Sequence, residues 1–222
     1  MPTTPFRGWS NAAFDFYRDL EGDNTRPFWA AHRNVYDAEV KAPFVALSDL
    51  VAEEAGVLRV FRPHRDVRFS KDKTPYKTRC YAVAEGQGGE AYYVEISTRG
   101  LVVATGYWMM ATDQLARYRR AVDHDQAGAA LRQVVADLRR WALEIEGHQL
   151  KTAPRGYARD HPRIELLRHK SLAVRRSYEP APWLGTPSVA TQIVEIWRHG
   201  SEMNRWLAEH VGPSTAPPPG PG

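Results

Sequence analysis

Lys77-Thr78-Arg79-Cys80-Tyr81-Ala82, Tyr92-Tyr93-Val94-Glu95-Ile96 and Leu101-Val102-Val103-Ala104 are the runs that decide the fold class. In the first, Lys77, Arg79 and Tyr81 alternate with the small Thr78, Cys80 and Ala82. That is the period of two expected of a strand with one face against a core. Thr98-Arg99-Gly100 separates the second run from the third as a tight connection. Short strands joined this way predict an antiparallel sheet. Upstream, from Leu58, the same period places Arg62, His64, Asp66 and Arg68 on one face, with Val67 and Phe69 on the other.

Helical patterns flank the strands. Ser10 is placed to cap a helix carrying Phe14, Tyr17 and Leu20 on one stripe, and Gly22-Asp23-Asn24 ends it. Thr25 caps a longer helix with Pro27 in its first turn, where proline is tolerated. Trp29, His32, Tyr36 and Val40 keep the helical spacing, and Pro43 is expected to kink or split the helix before Phe44, Leu47, Leu50 and Val51. Thr112 opens a helix over 113–124, followed by one over 126–143 and a short one near 162–169. Leu172-Ala173-Val174 reads as a strand, and a helix pair spans 187–210 with a break at Gly200. Helices and strands that do not alternate regularly predict an α+β fold. The expected architecture is a single domain over 11–212, with a mainly antiparallel sheet from the 58–104 region packed by N- and C-terminal helices. Residues 1–10 form a leader, and the Pro/Gly-rich tail over 213–222 is expected to be disordered.

Charge is concentrated. Residues 62–79 hold seven Lys/Arg and two Asp, a balance of +5, and residues 151–176 hold eight Lys/Arg and two acids, a balance of +6. The net charge is +4, so the rest of the chain is acidic. Such a distribution attracts anions to two segments. It also fits a solvated face, and Lys71 and Lys73 fit edge lysines that prevent sheet-to-sheet pairing. No apolar run is long enough to span a bilayer, and no secretory signal precedes the first helix. The single cysteine, Cys80, excludes an internal disulfide framework and fits a reducing, cytoplasmic location. On a strand with small neighbours, it reads as a buried, inert thiol.

Familiar catalytic and cofactor motifs are absent. Gly86-Gln87-Gly88-Gly89-Glu90-Ala91 matches a dinucleotide-binding pattern by letters, but a strand follows it instead of the required helix, so it reads as a hairpin loop. No H-E-x-x-H, paired C-x-x-C or G-x-S-x-G occurs. His161 and His169 lie about 80° apart around a helix, so no metal site is expected. Two stretches remain. Around 65–77, Thr74-Pro75 forces an extended or turn conformation, Ser70 and Asp72 suit turn-making hydrogen bonds, and Asp66 can fix the Arg68 fork. Around 155–163, Asp160-His161-Pro162 resembles a helix start beside Arg155 and Arg159, a physically reasonable anion site.

These same stretches carry a family resemblance. Arg65 through Lys77 resembles the central signature of a widespread bacterial and fungal family, the domain-of-unknown-function 2461 family. Phe14 to Leu20 with Asn24, Trp29 and Phe44 is similar to its opening. Gly106-Tyr107-Trp108-Met109 with Leu115 and Arg119 is similar to its middle. Leu150-Lys151, Pro154 to Tyr157, Asp160-His161-Pro162 and Leu167 to Lys170 are similar to its close. The resemblance covers about residues 11–210 and implies one domain of this family and a cytoplasmic location, with no reaction or ligand attached.

Three functions fit these readings. The first is binding of a phosphorylated or carboxylated small molecule in a basic pocket formed by both segments. Arg68, Lys71, Lys73, Lys77, Arg155, Arg168 and His169 would be charge-assisted donors, and Tyr76 and Trp108 apolar walls. His161 would be the acid/base of any chemistry and Asp66 its orienter. The second is nucleic-acid binding, with lysines on phosphates and Tyr76, Tyr81 or Tyr92 stacking on bases. The third is a non-catalytic interaction protein whose signatures hold the fold together. No cofactor and no membrane partner is expected.

Overall fold

The structure, a computed structural model, describes residues 5–68, 70–86 and 88–215. Most of the expected disordered tail, residues 216–222, lies outside the described residues. The strands are β1 (Arg59–Val60), β2 (Arg79–Glu85), β3 (Ala91–Ser97), β4 (Gly100–Tyr107), β5 (Glu144–Glu146) and β6 (Leu172–Tyr178). They form one sheet in the order β1-β2-β3-β4-β6-β5. Helices and this antiparallel sheet make an α+β fold. The sheet extends past the expected 58–104 region, because β6 and the three-residue β5 join it. A strand as short as β5 leaves almost no periodic trace in a sequence. Residues 86–90 connect β2 to β3, so the glycine-rich stretch is a loop between strands.

The chain divides into two compact units. Unit 1 comprises residues 1–84, 92–103 and 177–195. It contains helices α1 (Asn11–Gly22), α2 (Arg26–Val35), α3 (Ala42–Leu50) and the short α4 (Ala52–Ala55). Phe14, Tyr17 and Leu20 of α1 are buried, as are Phe6 and Trp9 of the expected leader. The Trp9 ring meets Phe44 at 4.8 Å. Thr25 caps α2 by accepting the Phe28 N–H, whereas Ser10 sits at the cap of α1 and donates its hydroxyl to Glu39. Pro43 does not break the helix. A π-helical turn over Tyr36–Lys41 precedes it, and α3 continues with the proline in its first turn. Proline has no N–H and its ring crowds the carbonyl four residues back, so a wider turn absorbs both defects. Tyr36 and Val40 of that turn remain fully buried. On β2, Cys80, Ala82 and Ala84 are buried while the odd positions are more exposed, as the alternation predicts. Cys80 lies 3.9 Å from the Tyr36 hydroxyl, and burial pushes its thiol up to about 12, which keeps it protonated and unreactive.

Unit 2 comprises residues 85–91, 104–176 and 196–222. It contains α5 (Thr112–Asp123), α6 (Asp125–Arg140), α7 (Ile164–Leu167) and α9 (Ser201–His210). The α5 cap is Ala111 rather than Thr112, because Gln114 reaches back to accept the Ala111 N–H at 2.9 Å. The expected helix near 162–169 shrinks to α7, and the residues around Pro162 form turns. Buried polar groups tie this unit together. The Trp197 indole donates to Ala104 O, Asn204 donates to the Thr105 hydroxyl, Trp206 donates to Ala127 O and the Tyr118 hydroxyl donates to Leu166 O. Each such bond contributes about 0.5–1.5 kcal/mol net, and losing one partner costs more. Val211 to Thr215 are held by Asp113, Gln114 and Arg117 of α5. The remaining helix, α8 (Ser188–His199), begins in unit 1 and ends in unit 2.

Candidate functional site

The first basic segment is a long excursion between two antiparallel arms. His64 pairs with Tyr76 as an isolated bridge, Arg65 N–H donates to Pro75 O, and Lys77 N–H donates to Pro63 O. Asn24, just after α1, clamps the return arm. Its side-chain amide donates to Tyr76 O at 3.0 Å while its carbonyl accepts the Tyr76 N–H at 3.1 Å. The Tyr76 ring stacks on Trp29 at 4.3 Å and is buried, so it anchors the arm and offers no pocket wall.

Between the arms the loop ties itself together. Arg68 grips both oxygens of Asp66, through Nε at 3.0 Å and Nη2 at 2.7 Å. Those hydrogen bonds bring the Asp66 carboxyl down to about 2. Asp72 accepts the Thr74 N–H and hydroxyl and pairs with Arg65, and it too is held below the usual carboxylate range. Lys73 donates to Val67 O at 2.9 Å. Lys71 stays exposed.

Beside this loop lies an open cleft of about 680 Å³, lined entirely by unit 1. Four cations line it, Arg65, Lys77, Arg79 and Arg99, with three carboxylates, Glu21, Asp66 and Glu95, and the hydroxyls of Ser70, Thr78, Ser97 and Thr98. Arg79 faces Glu95 across β2 and β3 at 3.3 Å, and Tyr81 stacks on Tyr93. Glu95 is only 5% exposed. Its Oε2 accepts the Tyr93 hydroxyl and faces Arg79. Burial, reinforced by the adjacent carboxylate, raises the Tyr93 phenol well above its usual range. The Lys77 ammonium donates to Arg62 O at 3.0 Å and lies 4.9 Å from the Tyr81 ring centre. Arg99 is exposed, and among the described residues its guanidinium has no hydrogen-bonding or ion-pair partner. The Thr98-Arg99 turn depends on Gly100, whose φ is +99° and where a Cβ would lie 2.0 Å from Tyr178 O. No side chain but hydrogen fits there.

The second basic segment is arranged differently. Arg163 is buried to 10% side-chain exposure and donates to Val122 O, Asp123 O and Asp125. Arg168 donates to Leu150 O and pairs with Glu165. Arg175 spans Glu144 and Glu146 on the neighbouring β5. His161 accepts the Arg163 N–H at Nδ1, which leaves Nε2 to donate to Asp123 at 3.1 Å. Both ring nitrogens are therefore engaged, and the carboxylate beside His161 is Asp123. His169 is buried, donates from Nδ1 to Ser171 O and meets Gln149 at Nε2. Burial lowers its pKa, which favours the neutral ring over a charged donor. Arg155 lies on an exposed turn and Trp108 is 48% exposed. Neither lines the cleft.

Of the residues singled out from the sequence, Asp66 and Lys77 line the cleft, and Arg68 holds Asp66 from beside it. Sequence reasoning missed Glu21, Arg79, Glu95, Ser97, Thr98 and Arg99. One signal was present: a carboxylate between Val94 and Ile96 puts a charge on an otherwise apolar strand. Among the described residues no three His, Cys, Asp or Glu side chains converge on a metal-sized site, and no helix is long and apolar enough to cross a membrane.

Neither a curated protein nor a solved structure matches the chain. A family model described as conserved hypothetical protein (DUF2461) matches residues 12–206, a span that includes both basic segments and the whole cleft lining. The chain therefore belongs to the DUF2461 family of conserved hypothetical proteins.

Proposed function

We propose that the protein binds a small phosphorylated or carboxylated molecule in the unit 1 cleft. The observation that carries this reading is the grouping of Lys77 and Arg99, two cations without a carboxylate partner among the described residues, on a rim of four hydroxyls. Charge-assisted hydrogen bonds to such groups are worth roughly 1.5–3 kcal/mol each when well placed. The self-tied loop over 66–74 presents Arg65 and Asp66 in fixed positions, which limits the ordering cost of binding. Arg163, Arg168 and Arg175 have their own carbonyl or carboxylate partners and no residue of 151–176 lines this cleft, so the pocket is proposed from the 62–79 segment together with the β3–β4 turn. Any acid/base chemistry would then fall to Glu95 rather than His161, whose two nitrogens are taken.

A thermal-shift and calorimetric screen of phosphorylated and carboxylated metabolites tests this. The expected result is stabilisation by some of these anions that Lys77→Ala and Arg99→Ala remove while the proteins stay folded. Binding that survives both substitutions, or no anion binding at all, refutes the proposal.

A second reading rests on the aromatic row of Phe61, Tyr81 and Tyr93, which stack at 4.6 and 5.7 Å with Arg59 and Lys77 over the rings. Such a row suits single-stranded nucleic acid. It predicts oligonucleotide binding whose log–log salt slope is about −0.7 per neutralised phosphate. The mutual stacking of these rings already occupies their faces, which favours the small anion.

A further inference from the structure

Glu95 is a poor residue with which to line a site meant only for anions. It is a carboxylate, buried to 5% exposure, in the lining of the cleft. Burying a charge is costly unless the charge is paired and hydrogen-bonded. Its pairing is one-sided: Oε2 takes the Tyr93 hydroxyl and faces Arg79, while Oε1 has no hydrogen bond from any described residue. Oε1 is also not sealed away, since it is not among the fully buried side-chain atoms that lack a partner. It therefore has open space beside it, and the cleft that Glu95 lines supplies that space.

Position gives this acceptor a definite relation to the cations. Arg79 pairs with Glu95 across β2 and β3, and Lys77, just before β2, Ser97, at the end of β3, and Arg99, in the turn after it, line the same cleft. A lone acceptor oxygen thus shares the cleft with two cations that have no carboxylate partner among the described residues.

We infer that the cleft selects a small zwitterion, with an ammonium or comparable N–H donor on Glu95 Oε1 and a carboxylate or phosphate on Lys77, Ser97 and Arg99. This rests on the anion-binding reading above and sharpens it to a ligand class. Tyr93 and Arg79 are positioning residues: they hold Oε2 so that Oε1 points to the ligand. The ammonium supplies the missing partner of a buried charge, and a plain anion of equal length leaves that charge unpaired beside its own.

Matched pairs of straight-chain probes decide the matter on the intact protein. Calorimetry compares γ-aminobutyrate, δ-aminovalerate and ε-aminocaproate with butyrate, valerate and caproate, and phosphoethanolamine with ethyl phosphate. The expected result is that an amino compound binds at least about tenfold more tightly than its deaminated partner, the ratio that one charge-assisted hydrogen bond gives. Glu95→Gln should abolish that ratio while leaving the deaminated anion bound equally or better. Equal affinity of the paired compounds for the wild-type protein overturns the zwitterion and leaves the anion cleft standing. Binding of the anions with no loss in Lys77→Ala, or no binding of any probe, overturns the cleft reading itself. The wild-type comparison is decisive even if Glu95→Gln fails to fold.

Discussion

The two basic segments look alike as sequence and differ as structure. Residues 62–79 carry +5 and residues 151–176 carry +6. In the second segment three arginines reach long distances in sequence to acceptors on other elements: Arg163 to Val122, Asp123 and Asp125, Arg168 to Leu150, Arg175 to Glu144 and Glu146. In the first, Arg65, Arg68 and Lys73 tie down their own loop, and Lys77 and Arg79 line an open cleft. Net charge does not separate a scaffold from a site. What separates them is whether a cation ties one element of the fold to another or stands beside open space.

The largest effect should come from the scaffold side. Arg163→Ala removes a side chain of 10% exposure and strands the part-buried Val122 carbonyl and the Asp123 carbonyl, and urea denaturation should register a loss of about 2–4 kcal/mol. A stable Arg163→Ala protein with lost anion binding would reverse the comparison. On the site side, Arg99→Ala should weaken the best anion from the screen by roughly tenfold, the value of one charge-assisted contact. Its unfolding midpoint should not move, because Arg99 holds nothing in place.

His169 gives the second segment a pH signature of its own. Its pKa is lowered from 6.5 by burial, so the unfolded chain takes up the proton first as pH falls. The stability from the neutral ring is present above that value and is lost as pH drops through and below it. Urea midpoints measured at about pH 7.5 and about pH 5.5 should differ more for the wild-type protein than for His169→Asn. The smallest effect is expected at Arg68. Its pair with Asp66 is solvent-exposed, so Arg68→Ala should leave the melting temperature within error at neutral pH. A clear drop would mean that the first segment, too, is scaffold.

The sequence made parts of this legible for physical reasons. Alternation exposed β2, because Cys80, Ala82 and Ala84 must fit against helices while Arg79 and Tyr81 need not. The helical stripes around Phe14-Tyr17-Leu20 and Tyr36-Val40 were equally visible. The π-turn before Pro43 was not, since proline signals a defect but not how the chain absorbs it. β5 was too short to show a period. In the candidate site, Asp66, Arg68 and Lys77 could be named because a dense charge run draws attention. Glu95 and Arg99 could not be weighted, because their importance comes from cross-strand neighbours and not from neighbours along the chain.

The Asn24 clamp on Tyr76 sets an unusual limit on substitution. The side chain imitates a strand partner, giving one hydrogen bond and receiving another from the same residue. Aspartate keeps the reach but loses the donor and sets a negative charge against a carbonyl. Glutamine keeps both groups but is one methylene too long, and serine and threonine have a single oxygen for two tasks. Position 24 therefore admits one amino acid, and chemical deamidation there would release the arm that leads into the cleft.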